Sequence, residues 1–323
     1  MLRLTQDQID QFEDAGYVVA RGLLDIPEVI TPLIAEYETL LDDLCQRMHN
    51  AGKIDSSYAD RSFSKRLTQL YVESNENFAQ YFDISLPQGG VTAGTPMHLG
   101  PAIFGLLTNA RLLDAVEQLI GPEIVSNPVQ HVRIKPPQRF VAPTVGALVG
   151  STSWHQDQGV VLPEADESTI LTVWVPVTAA TVENGCLVVI PDSHREGLAT
   201  HCPADLERPD LHIPSKLLRA EAATPLPMEP GDVLFMHRRT QHSSLENQSE
   251  DIRWSFDLRF NLAGQPTGRP AFPEFVARSR SHPERVLRDP EAWAALWRAA
   301  RDQLAGVETG PFNRWQTADA VCA

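Results

Sequence analysis

The sequence predicts a mainly β fold with flanking helices, in which a barrel or double-sheet jelly roll carries helical additions at both ends. Three observations support this. Short β-rich runs follow one another as Val129 to Ile134, Ile170 to Val177, Cys186 to Ile190, Val233 to Met236 and Ile252 to Phe260. Turn chemistry separates them, as in Glu183-Asn184-Gly185, Pro191-Asp192-Ser193 and Glu229-Pro230-Gly231-Asp232. No helix-length period interrupts them regularly, which disfavours a parallel βαβ sheet and leaves a barrel or jelly roll.

Taken in order, the chain opens with a short helix. Thr5 is placed to cap it, Ile9 and Phe12 are its apolar positions, and Gly16 sits where a left-handed C-cap is wanted. Tyr17-Val18-Val19 follows as a strand. Pro27, at a first helical position, begins a longer helix with Ile30, Leu33, Ile34, Tyr37, Leu40, Leu41 and Leu44 at helical spacing. Residues 50–100 show no decided pattern, and Gly89-Gly90 and Gly94-Thr95-Pro96 mark loops. Leu112, Leu113, Val116, Leu119 and Ile120 form the face of another helix, ended by Gly121-Pro122. After the β-rich section, Trp293, Leu296, Trp297, Ala300 and Leu304 form a helical stripe, read as packing. The expected organisation is one domain over 1–323: an N-terminal helical part (1–127), a jelly-roll core (128–262) and a C-terminal helical extension (263–323).

Composition narrows the function classes. With 42% hydrophobic and 21% charged residues, the 323-residue chain is of globular type. Its net charge of −15 repels phosphate backbones, so nucleic acid is not an expected partner. No run of 18 apolar residues suggests a membrane helix. The polar, acidic opening MLRLTQDQIDQFED argues against a signal peptide. Cys45, Cys186, Cys202 and Cys322 are scattered without CxxC spacing, so no zinc ribbon or disulfide framework is expected and a reducing cytoplasm is the default. The basic stretch Arg269 to Arg288 reads as a solvated face.

The sharpest local feature is Ser153-Trp154-His155-Gln156-Asp157. On an extended strand His155 and Asp157 share a face, and together they supply an imidazole and a carboxylate to a divalent metal. Two His and one carboxylate on one metal face is the non-haem Fe(II) oxygenase arrangement. HxD alone is weak, and nine other His residues compete for the third place. His194, in a turn, reads as a rim residue. His131 is equally a satisfied inward polar group or a substrate contact, and His237-Arg238-Arg239 reads as solvated. The segment from His242 to Ser255 favours His242. In Ile252 to Phe260 the apolar residues share one face, while Arg253, Ser255, Asp257 and Arg259 share the other, which should point into the barrel. A guanidinium there needs an anion and suits a carboxylate. Arg259 is the rival to Arg253, but it sits further along and has Asp257 as a candidate partner.

His155-x-Asp157, His242-x-Ser244 and Arg253 eleven residues after His242 together resemble the phytanoyl-CoA dioxygenase family of Fe(II)/2-oxoglutarate oxygenases. Trp174 and the block Asn184 to His194 are similar to its central strands, and the likeness runs from about residue 5 to 262. The resemblance implies a double-stranded β-helix, with Fe(II), 2-oxoglutarate and O2 as cofactor and cosubstrates. It implies that His155, Asp157 and His242 hold iron. Arg253 would bind the far carboxylate of 2-oxoglutarate with Ser244 beside it, and Trp174 and Lys135 would line the cosubstrate. Ser255 completes an Arg-x-Ser pair seen in other such oxygenases. Succinate and carbon dioxide would be released as a C–H bond of a small molecule is oxidised. Halogenating relatives lack the carboxylate ligand, so Asp157 implies oxidation without halogenation. Two alternatives stay open, a cupin-like metal-binding protein without turnover and a zinc hydrolase. An inward Arg253 and Ser255 have no evident use in the first. The substrate is not legible. Residues 50–100, 138–150 and 197–225 are the expected lid and pocket walls, and the acidic chain without a clear basic channel favours a small molecule over a CoA thioester.

Overall fold

Period-two alternation in one long strand organises the computed structural model, which describes residues 3–140, 149–203, 211–308, 310, 314 and 319–322. Segments 141–148 and 204–210, part of the expected lid and pocket walls, lie outside the described residues. Among the described residues the strands are β1 (Tyr17–Ala20), β2 (Ile124–Lys135), β3 (Ile170–Pro176), β4 (Leu187–Val189), β5 (Thr224–Leu226), β6 (Val233–His237), β7 (His242–Ser244), β8 (Arg253–Leu262) and β9 (Phe275–Arg278). They form a six-stranded sheet, ordered β1-β6-β3-β8-β2-β9, and a three-stranded sheet, β5-β4-β7. All pairings are antiparallel. In β8, Trp254, Phe256, Leu258 and Phe260 join the core shared with the helices, while Arg253, Ser255, Asp257 and Arg259 take the opposite face.

The second core lies between the sheets, where Trp174, Leu234 and Met236 of the large sheet meet Leu187, Val189 and Leu226 of the small one. This is the jelly roll that strand spacing predicts. Helix nevertheless exceeds strand in residue count, because the flanking parts are long.

The helices pack on the outer face of the large sheet. α1 (Gln6–Ala15) starts in a capping box at Thr5 and ends at Gly16, whose φ of 79° suits glycine. A Cβ there would also collide with the His194 ring. Pro27 begins a wide turn, Ile26–Ile30, that leads into α2 (Thr31–Asn50), whose buried face is Leu33, Tyr37, Leu41, Leu44 and Cys45. The undecided stretch contains α3 (Phe63–Ser74) and the single turn α4 (Ala79–Phe82). α5 (Pro101–Leu107) and α6 (Ala110–Ile120) follow, and α7 (Pro290–Leu304) buries Trp293 and Trp297.

Several expectations are corrected. β2 starts at Ile124, since Pro128 interrupts the pairing with β8 between Asn127 and His131 without ending the strand. Asn127 bridges the irregularity by donating to Asn261 and Thr267 O while accepting from Val129 N. The basic stretch is a solvated face only in part, at Arg280, Arg285 and Arg288, which are exposed. Arg269 is buried, Arg278 pairs with Asp114 and Glu117, and β9 adds a strand to the large sheet. The cysteines are not all free, because Cys202 and Cys322 form a disulfide across 120 residues, a pairing that no local spacing announces.

Phe256 packs edge-on against Tyr37 at 6.0 Å, at the centre of the sheet–helix core. Phe256→Ala is expected to cost about 3–5 kcal/mol of stability by equilibrium urea unfolding; a loss below about 1 kcal/mol would place the main core elsewhere.

Candidate active site

Backbone pairing brings the two histidines together. His155 N donates to His242 O at 2.9 Å and His242 N to His155 O at 3.0 Å, an antiparallel bridge that extends the small sheet beyond β7. Their ring centroids lie 4.2 Å apart. The chain leaves the bridge at once for a 3-10 turn, Asp157–Val160, so Asp157 stands at a turn and not on a continuing strand. Asp157 Oδ1 lies 3.8 Å from His155 Nε2 and 3.9 Å from His242 Nε2. All three side chains are buried, with one ligand atom from each within 4.8 Å of the others.

Hydrogen bonds fix what these groups offer. His155 Nδ1 donates to Ser153 O at 2.8 Å, and His242 Nδ1 to Thr240 O at 2.9 Å. A carbonyl only accepts, so each Nδ1 carries a proton and each Nε2 is the nitrogen left to face a metal. Burial, reinforced by the neighbouring His242, pushes His155 down to about 3, so it is neutral at ordinary pH. Burial alone would raise the Asp157 carboxyl, but Arg259, the two histidines and the Thr172 hydroxyl outweigh it and hold it below the usual range. Two imidazoles and one carboxylate suit a divalent transition metal with open positions.

Arg259 serves this carboxylate. It donates from Nη2 to Asp157 and from Nη1 to Val129 O at 3.0 Å, while Asp257 stands 3.6 Å away. The candidate Arg259–Asp257 pair is present but secondary to Arg259–Asp157. Thr172 donates to the other Asp157 oxygen, Oδ2.

Arg253 is placed differently. It is fully buried and donates from Nη1 to Ser255 Oγ at 2.7 Å. Its Nε and Nη2 have no partner among the described residues, and neither has Trp174 Nε1. The guanidinium carbon stands 5.6 Å from the centre of the Trp174 ring. Burial lowers Arg253 to about 9, still charged at neutral pH. Lys135, opposite Arg253 in the β2–β8 register, donates to Ser244 Oγ at 3.1 Å and Thr152 Oγ1 at 2.9 Å. A cavity joins the two groups, lined by His155, His242, Trp174, Leu187, Met236 and Arg253. Two unpartnered guanidinium nitrogens beside a lysine and a serine suit a carboxylate, so these residues fit a dicarboxylate cosubstrate next to a metal.

The other histidines resolve as well. His194 bonds Glu13 O at 3.2 Å in a turn, as a rim residue should. His131 is a satisfied polar group, its Nδ1 2.8 Å from Asp83 Oδ2. His237 and its neighbours are not solvated: burial lowers His237 to about 4, and Arg238 and Arg239 both donate to Gln158 Oε1.

Sequence reasoning missed several supporting groups. Gln156, between the two candidate ligands, is held at every polar atom. Its N donates to His201 Nε2 at 3.0 Å, its Nε2 to Gly197 O and Arg239 O, and its Oε1 accepts from Ala199 N. Arg314 donates to Gln158 O and Val161 O, securing the turn after Asp157. Thr172 was recoverable, since it shares the inward face of its strand with Trp174. His201 and Arg314 lie in stretches without periodicity and gave no signal.

A family model described as phytanoyl-CoA dioxygenase (PhyH) matches residues 12–255. Phytanoyl-CoA dioxygenase domain-containing protein 1 of Mus musculus is 20% identical over 298 residues, covering 84% of this chain and 99% of that protein. The 1-deoxypentalenic acid 11-beta-hydroxylase of Streptomyces arenae is 26% identical over 272 residues, covering 81% and 83%. Among solved structures, the apo form of the non-heme monooxygenase ThoJ superposes with a TM-score of 0.55 at 20% identity, over 92% of this chain and 98% of that one, a likeness of fold. With three quarters of the sequence inside the family model, the chain belongs to the phytanoyl-CoA dioxygenase family.

Proposed function

We propose that this protein is an Fe(II)- and 2-oxoglutarate-dependent oxygenase that oxidises an unactivated C–H bond of a small organic substrate, with release of succinate and carbon dioxide. One observation carries the reading: a buried guanidinium, Arg253, with two unpartnered nitrogens, shares a cavity with a buried His–Asp–His cluster. Bound iron and 2-oxoglutarate would supply oxidation by O2. His155, Asp157 and His242 would hold the iron on one face, leaving the other side for cosubstrate and oxygen.

The remaining residues bind and orient. Arg253 takes the far carboxylate of 2-oxoglutarate, and Ser255 fixes the plane of its fork. Lys135 and Ser244 border the cosubstrate, and Trp174 closes its side and excludes water. Asp157 already gives the metal an anionic protein ligand, which favours hydroxylation or a related oxidation over halide transfer. A ligand-binding protein without turnover, or a zinc hydrolase on the same three residues, gives the Arg253 clamp no task.

No helix among the described residues is long and apolar enough to cross a membrane. The cytoplasm is the compartment proposed with this function, although the Cys202–Cys322 disulfide is better suited to an oxidising one.

Anaerobic Fe(II) with 2-oxoglutarate should give the wild-type protein a weak visible charge-transfer band, and succinate should form in air; neither occurs with a zinc hydrolase or an inert binder. His155→Ala or His242→Ala should abolish stoichiometric Fe(II) binding, read by metal content after desalting, together with turnover. Full activity in either variant would remove that residue from the metal shell.

Arg253→Ala should weaken 2-oxoglutarate about ten- to a hundredfold, the loss of one charge-assisted pair, with iron retained. Arg259→Ala should instead weaken iron, because it frees Asp157. The reverse pattern in iron and 2-oxoglutarate titrations would show that the two arginines have been exchanged.

A further inference from the structure

The segment that carries His155 and Asp157 is held from behind by two stretches of chain, 197–203 and 211–213. Ile213 N donates to Trp154 O at 2.7 Å, and Gln156 N donates to His201 Nε2 at 3.0 Å. His201 Nδ1 donates to Ala199 O at 2.9 Å, which leaves its Nε2 as the acceptor that Gln156 needs. The Gln156 side chain is bonded in turn to Ala199 N and Gly197 O, each at 2.8 Å. The His201 ring also packs on Gly159, where a Cβ would approach it to 2.7 Å. An antiparallel bridge joins the two stretches, with Cys202 N donating to His212 O at 2.7 Å and His212 N to Cys202 O at 3.1 Å.

The C-terminal end of the chain is fastened onto this support. Cys322 is bonded to Cys202, the residue after His201, across 120 positions. Asp319, just before the 3-10 turn Ala320–Cys322, accepts from Thr200 Oγ1 at 3.0 Å and from Val321 N at 2.9 Å. Arg314 reaches the other flank of the ligand segment, where its N donates to Gly159 O at 2.8 Å and its guanidinium to Gln158 O and Val161 O. A hydrogen bond such as Thr200–Asp319 is too weak to order a chain terminus, which frays unless it is tied down. The covalent bond ties it down. Cys202 is 3% exposed, whereas Cys322 is half-buried, so a thiolate reaches the Cys322 sulfur without unfolding the molecule. The other two cysteines, Cys45 and Cys186, are free thiols buried in the two cores.

We infer that the Cys202–Cys322 disulfide is a redox-operated fastener of the metal-ligand segment: formed, it holds His201 against Gln156 and iron is retained; reduced, it releases the C-terminal turn and iron is held more weakly. The inference rests on the oxygenase reading for the identity of the metal. The co-reactant is a dithiol. One of its thiolates attacks Cys322 Sγ, the S–S bond breaks, and Cys202 leaves as a thiolate that takes up a proton. The second thiolate of the dithiol then attacks the mixed disulfide, which frees Cys322 as a thiol and leaves the reductant as its own disulfide, two electrons having passed to the protein. Groups that orient metal ligands without touching the metal govern its affinity, so slack at His201 and Gln156 reaches the iron.

Air-oxidised protein and protein reduced with a dithiol, both desalted and kept without oxygen, are compared. After denaturation they should titrate two and four thiols. Fe(II) affinity against a competing chelator should fall about tenfold or more on reduction and return on reoxidation. Amide hydrogen exchange should rise in residues 154–159 and 199–202 while β8 keeps its protection. Cys322→Ser should match the reduced protein and lose the response to the dithiol, with β8 exchange reporting that it is folded. Four thiols in the oxidised protein, an Fe(II) affinity changed less than about threefold on reduction, or exchange that rises equally in β8 would each overturn the inference, the last because the bond would then be a staple of the whole fold. If the oxidised wild type holds no Fe(II), the oxygenase reading fails instead, and exchange in residues 154–159 on reduction still decides the fastener.

Discussion

The site depends on the register of β8, which is locked from both faces. A slip of one residue would drive Arg253 and Arg259 into the aromatic core around Tyr37 and turn Trp254 and Phe256 into the barrel, so every side chain would occupy the wrong solvent. The penalty is high on each face, because one loses aromatic packing and the other buries guanidinium in hydrocarbon. That double constraint sets the two arginines about 20 Å apart along one strand. The separation allows one strand to hold Asp157 through Arg259 and to present at Arg253 a guanidinium with two unpartnered nitrogens.

The candidate metal ligands come from less regular pieces, which are made rigid by hydrogen bonds. His242 belongs to a three-residue strand, and His155 to a two-residue bridge with it. Neither element would hold by itself. Around them Gln156 has no free polar group, His201 accepts from its backbone, and Arg314 fastens the turn beyond Asp157. The ligand set is therefore prearranged by groups that touch neither metal nor cosubstrate, as metal sites generally require.

What the sequence made legible follows from the range of each signal. Period-two alternation is local, so the inward row of Arg253, Ser255, Asp257 and Arg259 could be read directly, as could the shared face of Thr172 and Trp174. Capping is local too, and Thr5 and Gly16 behave as read. The losses are long-range or weak. β5 contains Pro225 and spans three residues, β9 lies in an arginine-rich stretch, and Cys202 meets Cys322 across 120 positions. Asp257, near in sequence, pairs with Arg259 only at 3.6 Å, whereas the closer partner, Asp157, is near in space and far in sequence. Whether Arg253 or Arg259 faces a cosubstrate is decided by which of them already has a carboxylate, and that is a tertiary fact.

Charge separates outside from inside. The chain is acidic overall, yet Lys135, Arg253, Arg259 and Arg269 are buried within it. Screening at physiological ionic strength limits the surface field to roughly 8 Å, so a small monoanion crosses it with little loss, while a ligand with several phosphates interacts with it over a longer path. Inside, where water is excluded, the same cations act at much greater strength. Selection by charge therefore belongs to the cavity and not to approach from solution. A large polyanion such as a CoA thioester would need a cationic track on the acidic exterior, whereas a compact substrate would not.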